Sequence, residues 1–299
     1  MASLGNDSAA GSEGSVARPG SLRASLYQLS LDTSNPELLS HFYARALGLR
    51  FAKQGQALLG TANHRRLQLQ VGPEKRLRAA YYAAEGREVL DQLAERLGQA
   101  AVTFARSAEP DVFEDAVSFH DPDGNRLVFG VGVQAAAAAP EAASVTAWEA
   151  RLQHLVVASA DAARLVEFYR STVGFKVSDR VLDNEGTLRT AFLNCSSDHH
   201  SLAIFAAATN RLDHFCFETA DWNRIRDWAD HFAAEHIPLK WGPGRHGPGN
   251  NLFVFIHDVD GNWVEISAEL EQVSPDRQTG VWPHEQRTLN SWGVGHLRS

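Results

Sequence analysis

The sequence predicts an α+β chain built from two tandem modules of one design, and three internal correspondences predict it. LYQLSLDTSNPELLSHFYARALGLRF from Leu26 matches LQHLVVASADAARLVEFYRSTVGFKV from Leu152, with Gln28, Phe42, Tyr43 and Gly48 falling on His154, Phe168, Tyr169 and Gly174 at one constant offset. FHDPDGNRLVF from Phe119 answers IHDVDGNWVEI from Ile256, and a further helical stretch lies between opening and close in each half. A repeat constrains the fold more than any single motif does.

Each repeat opens with alternating apolar residues, the pattern of a strand with two distinct faces. Helical periodicity follows and stops near a glycine, Gly48 or Gly174. GREVLDQLAERL near Leu90 and DWNRIRDWADHFAAEH near Trp228 read as the second helix of each half. The closing Asp-Gly segments are turns that join two strand-like runs. Residues 1–21 are small and polar, expected as a flexible tail rather than a secretory signal or membrane span. The alanine-rich stretch at 134–147 reads as a linker or short connecting helix. It divides an N-terminal module at 22–133 from a C-terminal one at 148–299.

At 299 residues the chain has room for two ordinary domains with buried cores. A net charge of −8 with no basic run offers no footprint for nucleic acid or an anionic membrane. The two cysteines, Cys195 and Cys216, have no paired zinc spacing, so a reduced, cytoplasmic protein is expected.

Three ionisable residues on apolar strands are candidate metal ligands. Alternation puts His154 on one face with Leu152 and Val156, His214 with Leu212 and Cys216, and Glu265 with Trp263 and Ser267. Burying an ionisable group is costly unless something compensates it. A lone strand histidine is usually a satisfied core residue. Two imidazoles and a carboxylate on three strands of one module, however, are what a divalent ion requires, and this set is the facial triad of non-haem iron(II) oxygenases. The first module offers Gln28, about Ala79, and Val128 at the equivalent places, which cannot assemble a site.

With these motifs the chain resembles the vicinal oxygen chelate superfamily of glyoxalases, bleomycin resistance proteins and dioxygenases, from about Leu22 to Leu289. Within it the resemblance is to type I extradiol ring-cleavage dioxygenases, where only the C-terminal module is loaded. It implies paired βαβββ repeats, each pair curled into a mixed-sheet cup. It also implies one Fe(II), or Mn(II), on His154, His214 and Glu265, with a small aromatic diol and O2 as substrates and a homo-oligomeric assembly. His200, in SSDHHSLAIF, matches the family's acid/base. His246, in WGPGRHGPGNNLFVFIHDVDGNWVE, matches its other active-site histidine and is expected in a tight loop at the rim. Phe255, Phe192, His199, Arg245, Trp282 and Arg287 are candidate pocket residues, the last two on a C-terminal segment expected to close over the cup. His257 aligns with His120 of the metal-free module and reads as turn-associated.

Two positions depart from the family pattern: Phe255 stands where a tyrosine is usual, and Val259 where the turn usually has proline. Phenylalanine keeps the packing and removes a hydroxyl. That leaves open slower ring cleavage, an altered substrate such as a hydroquinone, or a non-oxidative isomerase or lyase reaction. A small-aromatic binding protein is the remaining alternative.

Overall fold

The structure, a computed structural model, describes residues 22–133 and 149–296, so the expected tail at 1–21 and linker at 134–147 lie outside the described residues. The first module runs β1 (Ala24–Thr33), α1 (Pro36–Leu47), β2 (Arg50–Gln54), β3 (Ala57–Ala62), β4 (Arg65–Val71), β5 (Arg76–Ala84), α2 (Arg87–Gln99), β6 (Phe104–Glu109), β7 (Phe113–His120) and β8 (Arg126–Val133). That is βαβββ twice over. The second repeats it as β9 (Arg151–Ser159), α3 (Ala162–Glu167), β10 (Lys176–Leu182), β11 (Leu188–Asn194), β12 (Leu202–Ala206), β13 (Arg211–Thr219), α4 (Trp222–Ala234), β14 (Trp241–Arg245), β15 (Leu252–His257) and β16 (Trp263–Ala268). A C-terminal segment adds β17 (Gly280–Pro283) and α5 (Gln286–Leu289).

The first sheet has the order β2-β3-β4-β1-β5-β8-β7-β6, and the second β14-β15-β16-β13-β9-β12-β11-β10-β17. In each, the opening strands of the two repeats pair antiparallel at the centre, flanked by parallel neighbours. β17 joins the second sheet parallel to β10.

Local chemistry explains the helix ends. The Asn35 side chain accepts from the Leu38 N–H at 3.0 Å, and Asp161 does the same for Arg164 at 3.1 Å. Gly48 (φ 65°) and Gly174 (φ 101°) close the two segments in the left-handed region. The second segment finishes as a π-helical turn over Phe168–Val173.

One apolar core runs through both modules, with Tyr43 against Phe215 and Phe175 against Tyr82 and Phe129. Each such buried ring contributes about 1.5–3 kcal/mol. The repeat motifs meet across this core: the Tyr43 hydroxyl donates to Asp258, and the Tyr169 hydroxyl donates to Asp121 at 2.8 Å. The tyrosine of each module's first helical segment thus closes on the Asp-Gly turn of the other.

Strict alternation fails at two places in the second module. β9 and β13 shift register between Leu152 and His154 and again between Leu212 and His214, leaving Gln153 and Asp213 as bulge residues. Leu152 and Leu212 consequently belong to the main core, while His154, Val156 and His214 face the cup. The expectation that each leucine shares its histidine's face is corrected. The first module carries the same bulges, at Tyr27 and Arg78. Its cup is filled by Ala79, Tyr81, Val112, Phe113, Ala116 and Val128. Among the described residues no helix is long and apolar enough to cross a membrane.

Candidate metal centre

Strands β9, β13 and β16 are neighbours in the second sheet, and they carry His154, His214 and Glu265. Cys216 pairs with both His154 and Glu265 in register, which brings the two onto adjoining rows. Nε2 of His154 lies 3.2 Å, and Nε2 of His214 3.4 Å, from the same oxygen, Oε2 of Glu265. All three residues are buried, Glu265 to 0% exposure.

The hydrogen-bond partners decide what those atoms offer. Nδ1 of His154 faces Oε1 of Gln153, and Nδ1 of His214 faces Oδ1 of Asp213 at 2.7 Å. Both partners are acceptors, so each ring holds its proton on Nδ1 and presents a bare Nε2. Two lone pairs therefore face a buried carboxylate oxygen that has no hydrogen-bond donor of its own. A proton on one imidazole or a bound cation would reconcile that arrangement, and an N,N,O donor set suits a divalent first-row metal. Burial would raise the Glu265 pKa, but the surrounding His154, His214 and His246 hold it well below the usual carboxylate value. Burial lowers the His154 pKa, whereas for His214 the Asp213 and Glu265 contacts outweigh burial and raise it.

Cys216 also lies close, with its sulfur within 4.8 Å of ligand atoms of His154 and Glu265. It donates to Ser267 Oγ at 3.1 Å, and burial pushes its pKa well above the usual thiol value. Its hydrogen is committed to Ser267, whereas His214 presents Nε2 to the same Glu265 oxygen as His154 does, which makes His214 the stronger candidate for the third position. In the first module the same registers hold Gln28, Ala79 and Val128, and Gln28 accepts from Arg66 Nε at 3.1 Å.

A pocket opens over the triad. Its walls include Val156, Phe192, Phe205, Trp241 and Phe255, together with His200 and His246. Trp241 stacks on Phe255 at 5.2 Å, and Phe255 meets the His214 ring edge-on at 5.2 Å. His246 stacks on Phe253 at 4.0 Å, and its Nε2 is 3.7 Å from Glu265 Oε1.

The sequence profile of the Glyoxalase/Bleomycin resistance protein/Dioxygenase superfamily matches residues 28–129 and 151–266. The chain belongs to this superfamily. Among its relatives, metapyrocatechase 2 of Cupriavidus necator is 25% identical over 201 residues, 60% of this chain and 61% of its own length. The aligned part thus spans under two thirds of that relative. Biphenyl-2,3-diol 1,2-dioxygenase of Pseudomonas sp. strain KKS102 is 28% identical over 279 residues, 86% of this chain and 92% of its own. The Mn(II)-bound glyoxalase from Novosphingobium aromaticivorans superposes with a TM-score of 0.77 at 26% identity, covering 92% of each chain.

Against this superfamily fold, several candidate pocket residues sit elsewhere. Phe192 and Phe255 line the cavity; His199, Arg245, Trp282 and Arg287 do not. His199 is fully buried behind His200. Arg245 turns outward to Glu269 at 2.8 Å and to the Asn250 carbonyl at 2.7 Å. Trp282 packs behind the wall and donates to Asp179 at 2.8 Å, and Arg287 is exposed. His246 opens the tight loop that follows strand β14, where its N–H donates to the Asn251 carbonyl at 3.0 Å and the Asn250 N–H donates to the Gly247 carbonyl at 3.1 Å. Glycines suit that strand for contact reasons: a Cβ at Gly244 would come 2.5 Å from the Phe253 ring.

Sequence reasoning missed Val156, Thr190, Phe205, Trp241, His284 and Thr288, all on the pocket surface. Val156 and Thr190 were within reach, since each lies two residues from a chosen one on its own strand. Phe205, Trp241 and the C-terminal His284 and Thr288 had no such signal.

Proposed function

We propose that this chain is an extradiol ring-cleaving dioxygenase that opens a catechol-like aromatic beside its two hydroxyls, placing both atoms of O2 in the product. The observation that carries this reading is the orphaned Glu265 Oε2 faced by two bare imidazole nitrogens under an aromatic-walled pocket. The relatives named for catechol and biphenyl-diol cleavage support it.

His154, His214 and Glu265 would hold a divalent iron, with manganese the alternative, and such an ion would supply open coordination and redox chemistry for a diol and dioxygen. Val156, Phe192, Phe205, Trp241 and Phe255 clasp the ring and keep water from it. Burial first, and then His154 and His199, hold the His200 pKa well below its usual value, so this imidazole is neutral and can accept a hydrogen bond from a substrate hydroxyl. His246 points Nδ1 at the Leu289 carbonyl, which leaves Nε2 as an acceptor for the other hydroxyl. Phe255 contributes shape and no hydrogen bond.

Among the described residues lining the pocket there is no lysine or arginine. A ring carboxylate would find imidazoles and threonine hydroxyls but no permanent cation to offset its burial, so diols with neutral substituents are the preferred class. The two buried free cysteines suit a reducing cytoplasm, where we place the enzyme.

The test is an oxygen electrode with the iron(II)-loaded protein. Catechol, 4-methylcatechol and biphenyl-2,3-diol should consume oxygen and give the visible absorbance of a ring-opened semialdehyde, while 3,4-dihydroxybenzoate should not. Absence of uptake with every diol removes the reading. Phe255 and the likeness to a glyoxalase favour a second one, a Lewis-acid isomerase. Turnover with zinc and without oxygen would select it.

A further inference from the structure

Behind His200, away from the pocket, stands a chain of buried polar groups that the reaction as described does not use. His199 is 0% exposed, and its Nδ1 lies 3.0 Å from Nδ1 of His200. Its Nε2 lies 3.1 Å from Oδ2 of Asp179, itself 0% exposed and approached obliquely to the ring N–H. Asp179 is held in turn by Trp282 Nε1 at 2.8 Å and by Arg277 at 3.0 Å. The backbone of the histidine pair is pinned as well: Ser178 donates to the His199 carbonyl, and Gln153 Nε2 to the His200 carbonyl at 2.6 Å.

We propose that Asp179 and His199 are positioning residues that fix the tautomer of His200. Facing the Trp282 indole N–H and the Arg277 guanidinium, Asp179 is an ionised acceptor, so Nε2 of His199, 3.1 Å away, carries the ring proton. Nδ1 of His199 is then a bare acceptor. It can meet Nδ1 of His200 at 3.0 Å only if that nitrogen carries a proton. His200 is thereby left with an unprotonated Nε2, the state a proton acceptor needs at the start of the reaction. Burial would raise the Asp179 pKa, but contacts from His199, Arg277 and Trp282 outweigh it and hold it low, in keeping with the ionised form. Arg277 and Trp282 belong to the C-terminal segment, so the docking of that segment and the tautomer at the metal centre are linked through one carboxylate.

This inference rests on the dioxygenase reading only for the use made of His200; the tautomer itself is measurable without turnover. Long-range 1H–15N spectra of histidine-labelled protein should show His199 as the Nε2–H tautomer and His200 as the Nδ1–H tautomer. Finding His200 as Nε2–H in the wild type overturns the proposal outright. In Asp179→Asn the amide can present a donor to His199, and the Nδ1–H population of His200 should fall. On the iron-loaded enzyme kcat should drop on the order of 10²-fold, with KM changed less than threefold. An unaltered tautomer in the variant also overturns the proposal. Trp282→Phe, which removes one donor to Asp179, should shift the population in the same direction if Asp179→Asn does not fold, and no shift there counts against it. The expected tautomers without diol turnover would sink the dioxygenase reading and leave this one standing.

Discussion

At the scale of single residues, the candidate metal centre depends on acceptors that sit next to the proposed ligands in sequence. Gln153 and Asp213 precede His154 and His214, and each accepts a hydrogen bond from Nδ1–H, which keeps that proton off Nε2. Asp213→Asn keeps an acceptor oxygen and removes its charge, so metal affinity should fall about 10–100-fold, read by competition with a chelator, while the fold persists. Unchanged affinity would show that the Asp213 charge has no part in holding the ion. Phe255 is the second residue of interest, fully buried between Trp241 and His214. Restoring a hydroxyl with Phe255→Tyr adds one hydrogen bond, worth about 1 kcal/mol, and should raise kcat for diol cleavage about fivefold. A fall in rate would mean that the site has adapted to the phenyl ring.

At the scale of elements, two β-bulges make the site. A regular strand would send Gln153 and Asp213 to the face opposite their histidines. The extra residue in each strand lets neighbouring side chains meet, and the first module keeps both bulges with Tyr27 and Arg78 in those places. The C-terminal strap is the other element that matters, because Thr288 and Leu289 complete the pocket. It docks at Gly247, whose N–H donates to the Thr288 carbonyl at 2.9 Å. A Cβ at Gly247 would lie 2.8 Å from that carbonyl oxygen and 2.9 Å from the Trp282 ring. Overpacking of this kind costs about 1–3 kcal/mol. Gly247→Ala should therefore raise KM for the diol and speed proteolysis within 280–290, with metal content unchanged. An unaltered KM would separate the strap from substrate binding.

At the scale of the whole molecule, the modules are joined by the exchange of Tyr43 onto Asp258 and Tyr169 onto Asp121. Tyr43→Phe leaves a buried carboxylate short of one donor and should lower unfolding free energy by about 1–3 kcal/mol, measured by urea denaturation. Tyr169→Phe should do likewise, and the two should add within about 0.5 kcal/mol because the pairs share no partner. Burial raises the pKa of Asp258 against the pull of Tyr43 and Asn262. A carboxyl with a raised folded pKa contributes its full stabilisation below the unfolded value of about 3.9 and loses it as pH rises through the folded value. Asp258→Asn cannot ionise, so its stability should gain on the wild type between acid and neutral pH. Parallel curves for the two proteins would contradict the assignment.

Much of this was readable in advance, and for a stated reason. The duplicated βαβββ order, the helix-ending glycines and the choice of the second module as the candidate metal carrier all follow from residue types at repeating positions, which local sterics and strand periodicity translate directly. Those signals depend on chain neighbours alone. The bulges that turn Leu152 and Leu212 from their histidines depend on cross-strand register. So do the withdrawal of His199 behind His200 and the outward turn of Arg245, while the wall formed by Trp241 and Thr288 depends on which distant segments dock. Register and docking are settled by packing the entire chain at once, so tertiary structure alone decided them.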